Sequence, residues 1–157
     1  MDPKEQAAKH AESARDRLIT AITHVPDDKL GYTPSPTAKS ALGIAAHAAN
    51  SNGYLARMMR GEPMPNVPRE ELMEMAAKAD AALATRDQVI ARLKESTEEV
   101  VSAIKSLTPE QLQGDVAGIF GTRPTKDFIG VPGFHMDGHT AQINYLQTVW
   151  GDMEFRM

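Results

Sequence analysis

Two stretches of helical length with almost no charge limit what this chain can fold into. Ser40 to Ala56 holds no charged residue, and Phe128 to Gly151 holds only Asp137. A helix without a charged face has to be covered on most sides, by a core or by a second subunit. The first run contains His47, Asn50, Ser51 and Asn52 and falls short of the ~20 apolar residues that a membrane span requires. Both stretches therefore read as helices buried in protein, and the rest of the chain must supply their cover.

Prolines and capping residues divide that remainder. Asp2-Pro3-Lys4-Glu5 has the pattern of a helix start, and Ala11, Leu18, Ile22 and Val25 then recur at helical spacing until Pro26. Three prolines and Gly31 make 26–37 a loop. A second helix is predicted from Ser40 to about Arg60-Gly61, and a short one from Pro68 to about Ala82, beyond the break at Pro63 and Pro65. Thr85-Arg86-Asp87-Gln88 is a capping box opening the clearest stripe, Val89, Ile90, Leu93, Thr97, Val100, Val101, Ile104 and Leu107. Thr108-Pro109-Glu110-Gln111 begins a helical turn that Gly114 ends. The segment 114–124 reads as irregular, and no strand pair is expected. Thr125 reads as the N-cap of a last helix running to Trp150, kinked at Pro132. The pattern predicts an all-α fold, a four-helix bundle with a long crossover between helices 2 and 3, as one domain over 1–157.

Composition agrees. A chain of 157 residues with 41% hydrophobic residues fits one domain with its own core. The net charge of -4 gives no basic excess, which argues against nucleic acid as a partner. No cysteine is present, so disulfides, thiolate metal sites and cysteine nucleophiles are excluded. The charged N-terminus lacks the apolar core of a secretory signal, so a soluble, cytoplasmic protein without a membrane partner is expected.

Three of the five histidines, His47, His135 and His139, fall on the two charge-poor helices. His135 and His139 are four apart, so they project from one helix face and can share a ligand. That face continues through Gln142, Leu146 and Val149, which would aim the pair at the interior. His47 on a facing helix can supply a third nitrogen, and three histidines plus an open position make a catalytic metal site. Spacing alone leaves a second reading open, in which buried histidines only hydrogen-bond their neighbours. Met136 stands where a zinc peptidase would place its general-base Glu, and Asp137 points about 200° away from His135, so a peptidase is disfavoured. Asn50, Tyr54 and Gln142 are further candidates for the site's surroundings. His10 and His24 read as surface residues.

Two blocks resemble the DinB superfamily of four-helix bundles. One is Gly31-Tyr32-Thr33-Pro34-Ser35-Pro36 with the helix leading to His47. The other is centred on His135-Met136-Asp137-Gly138-His139-Thr140-Ala141-Gln142-Ile143. The resemblance implies that His47, His135 and His139 ligate a divalent metal ion, zinc or nickel first, and that the protein is a homodimer. Gly138 and Thr140 depart from the family, many of whose members carry His and Arg there. Family activities include metal-dependent thiol transfer and a thiol-dependent isomerisation. The implied function is a metal-dependent enzyme acting on a small molecule with a low-molecular-weight thiol, with a hydrolase as the nearest variant. The alternative is a non-enzymatic metal-binding or stress-response dimer.

Overall fold

A computed structural model describes residues 2–118 and 121–156. In chain order its helices are α1 (Pro3–His24), α2 (Ala41–Met59), α3 (Arg69–Ala82), α4 (Arg86–Ser106), α5 (Pro109–Gln113), α6 (Thr125–Phe128) and α7 (Val131–Val149). The four long ones form the bundle. α2 packs on α4, α4 on α1, α1 on α7 and α7 on α2. This ring places α7 between α1 and α2.

Local chemistry sets the helix starts. Asp2 accepts from the Lys4 amide at 3.0 Å and Ser40 from the Gly43 amide at 3.1 Å. Thr85 and Gln88 satisfy each other's backbone reciprocally, as do Thr108 and Gln111. In the core, α1 buries Ala7, Ala8, Ala11, Ala14 and Ala21, while α2 buries Ala45, Ala46, Ala48, Ala49 and Ala56. Small side chains let the helix axes approach, and Leu18, Ile22, Val89, Leu93, Val100 and Ile104 fill what remains.

The crossover between α2 and α4 contains α3, which packs on α2. It buries one residue, and that residue is an acid, Asp80.

Two expectations fail. Asp115–Gly118 and Gly121–Pro124 pair as antiparallel strands, β1 and β2, in the segment expected to be irregular. Four residues are too few for alternation to show, and only Val116 is buried. Gly121 takes φ +97°, which glycine adopts without strain. The last helix is also two helices, with Thr125 inside α6 and Pro124 as its cap. Pro132 lies in the first turn of α7, where the missing N–H costs nothing, so it opens a helix and does not kink one.

Candidate metal centre

Because α7 lies against α2, His47 meets His135 and His139. One ring nitrogen from each lies within 4.8 Å of the others. The ring centroids are 5.4 Å apart for His47 and His135, 5.2 Å for His47 and His139, and 4.4 Å for His135 and His139. Nε2 of His135 and Nε2 of His139 are 3.0 Å apart. Two nitrogens bound to one tetrahedral ion at ~2.0–2.1 Å stand about 3.3 Å from each other.

Hydrogen bonds fix which nitrogens are available. His47 Nδ1 lies 3.2 Å from Asp80 Oδ2, and Asn50 donates from Nδ2 to Asp80 Oδ1 at 3.0 Å. Burial alone would raise the Asp80 carboxyl, but the hydrogen bonds from His47 and Asn50 outweigh it and hold the group below its ordinary value. An ionised carboxylate only accepts, so the contact requires a proton on His47 Nδ1, and in the neutral ring of that tautomer Nε2 keeps its lone pair. The Gln142 carbonyl oxygen likewise accepts from His139 Nδ1 at 2.8 Å. His135 Nδ1 is buried with no hydrogen-bond partner among the described residues. Burial, then the charges of His139 and His47, push His135 down to about 4. Burial also lowers His139 by more than its Gln142 bond raises it. Burial therefore favours the neutral form of His135 and His139, the form in which imidazole ligates. The donor set fits a divalent ion, with second partners behind two of the three histidines.

Asn50 supports Asp80 and so backs His47 at one remove. Gln142 contacts His139 directly. Tyr54 instead lines a neighbouring cleft of about 280 Å³ with Asn50, Arg57 and Arg92. Sequence reasoning missed Asp80, whose only signal is an acid near the end of a short helix. Lys39, with Nζ 3.8 Å from Asp80, was missed as well.

The histidine face runs into the core only in part: Leu146 is buried as expected, but Gln142 and Val149 are exposed, and Met136, Thr140, Ile143 and Gln147 form the fully buried stripe of α7. The three histidines stand at the edge of that stripe and are only half-buried, which leaves the cluster accessible. His10 is no ordinary surface residue. Its Nε2 bonds Asp137 at 2.8 Å, and Arg17 donates to the other Asp137 oxygen from Nε and Nη2 at 2.9 and 2.7 Å. Asp137 thus ties α7 to α1 on the side away from the histidine cluster.

A family model described as the DinB superfamily matches residues 10–143. No curated protein matches the sequence. Among solved structures, a DinB-like protein of Bacillus subtilis, YjoA, superposes with a TM-score of 0.66 at 17% identity, covering 97% of this chain and 96% of that one. The mycothiol-dependent maleylpyruvate isomerase gives 0.67 at 16% identity, covering 89% of this chain and 60% of the longer isomerase. The colibactin self-resistance protein ClbS, solved in complex with a dsDNA, gives 0.66 at 16%, covering 92% and 95%. At these identities the likeness shows the fold.

The ClbS complex overturns the exclusion of nucleic acid drawn from composition, because a protein of this fold binds a duplex. Net charge averages over a whole surface and does not rule out a local basic face. No helix among the described residues is long and apolar enough to cross a membrane.

Proposed function

The chain belongs to the DinB superfamily, and from that premise we propose that it is a divalent-metal-dependent enzyme. In this reading His47, His135 and His139 hold one ion, zinc or nickel, and the reaction transfers a low-molecular-weight thiol to an electrophilic small molecule. The observation that carries it is the convergence of three imidazoles, one nitrogen of each within 4.8 Å of the others, two of them oriented from behind by Asp80 and Gln142.

When bound, the ion supplies the positive charge that keeps a thiol ionised at neutral pH, the reactive form. The chain's own residues do the rest. Asp80 and Gln142 fix the His47 and His139 rings by their Nδ1 protons. Lys39, half-exposed at the rim beside Asp80, favours an anionic group entering the site. A thiol-dependent isomerase among the structures of this fold supports thiol chemistry here.

The test is an assay of chelator-stripped protein with a small thiol and a chlorinated aromatic or epoxide. Thiol consumption that needs added metal supports the reading. Tight metal binding with no such activity would favour the non-enzymatic alternative.

We also read the protein as a homodimer. α7 exposes Phe134 and Tyr145, each 72% accessible, together with Val149, while its one charge, Asp137, is turned to α1. Large exposed apolar side chains grouped on one helix mark a surface for association.

A further inference from the structure

α3 is weakly attached to the bundle by apolar packing. Met73 and Met75 are exposed, and the one residue that α3 buries is Asp80. That carboxylate is held by His47, Asn50 and Lys39, all outside α3. We propose that Asp80 is a positioning residue for His47, and that through this contact ion binding at the histidines docks α3 onto α2.

The link is the tautomer of one ring. A neutral imidazole can carry its proton on either nitrogen, and only the Nδ1–H form can donate to Asp80. With the ring free, the Nε2–H form competes and breaks the contact. Ligation through Nε2 removes that competitor, so the ion and Asp80 select the same state of His47. Linkage then requires reciprocity: whatever ligation adds to α3 docking, α3 docking adds to ion affinity. The inference rests on the metal-centre reading above. It goes further in making the crossover helix part of the site.

Hydrogen exchange and metal affinity together test it on untagged, full-length protein stripped by chelator and titrated with zinc alone. In wild type, zinc should slow exchange across Arg69–Ala82. Asp80→Asn keeps the size of the side chain and removes its charge. It should weaken zinc binding by about 10–100-fold and abolish the zinc-dependent protection of α3. Amides of α1 and α4 should stay protected, which separates this outcome from unfolding. Zinc affinity unchanged in Asp80→Asn overturns the proposal, and so does equal zinc protection of α3 in variant and wild type. Wild type that binds zinc without any change in α3 overturns it while leaving the metal centre intact. Wild type that takes up no zinc removes the metal centre and this inference together.

Discussion

His135 and His139, one turn apart on α7, bring their Nε2 atoms to 3.0 Å. Two imidazoles at that distance need something between them, a proton shared from one ring or a cation bound by both. His139 Nδ1 is already committed to Gln142, and His135 Nδ1 is buried with no hydrogen-bond partner among the described residues. Charging both rings is opposed by burial and by their mutual repulsion.

This has a consequence for metal-free protein. In the unfolded chain His135 takes up its proton near the ordinary 6.5, whereas in the fold it does so at about 4. Between those values the unfolded state binds more protons, so stability falls as pH drops through the window. Urea midpoints of stripped protein should fall from pH 7 to pH 4, and His135→Asn should flatten the profile. Identical slopes for the two proteins would show that His135 does not carry the effect.

The Asp137 clamp should matter to the fold. Arg17 and Asp137 are each about three-quarters covered, and their two charge-assisted bonds join α1 to α7. With allowance for solvent screening, Arg17→Ala should cost about 1 kcal/mol. At this chain length that lowers the melting temperature by roughly 2–4 °C. An unchanged melting curve would make the clamp ornamental.

Thr85 caps α4, the helix whose stripe fills the core. Thr85→Ala removes the acceptor for the Gln88 amide and should cost about 1 kcal/mol, with Thr85→Ser close to neutral. Denaturant unfolding of the two variants checks this, and equal losses would contradict it.

Sedimentation at micromolar concentration should show a dimer, and Tyr145→Glu should shift it to monomer without changing helix content. A wild-type monomer would contradict the assigned surface.

The helices and the histidines that cluster are legible in the sequence because their signals are local. Capping boxes at Thr85 and Thr108, the charge-free run around His47 and the four-residue step from His135 to His139 all lie within a few residues. Asp80 is not legible, since its partners His47 and Lys39 lie on the far side of the crossover and only packing brings them together. The same holds for His10 and Asp137, 127 residues apart. The hairpin escapes notice because its strands are short and exposed, with little hydrophobic pattern to read. Pro132 is legible as a helix residue, yet its position depends on the break between α6 and α7, which spacing alone does not mark.

The most direct test of the three-histidine centre is metal stoichiometry on protein purified without a histidine tag, loaded with zinc or nickel and desalted. Wild type should retain about one ion per chain, and His139→Ala should lose most of it while keeping its helical circular dichroism. Equal metal content in the two proteins, or none in wild type after loading, would contradict the metal centre and leave three histidines that merely share a space.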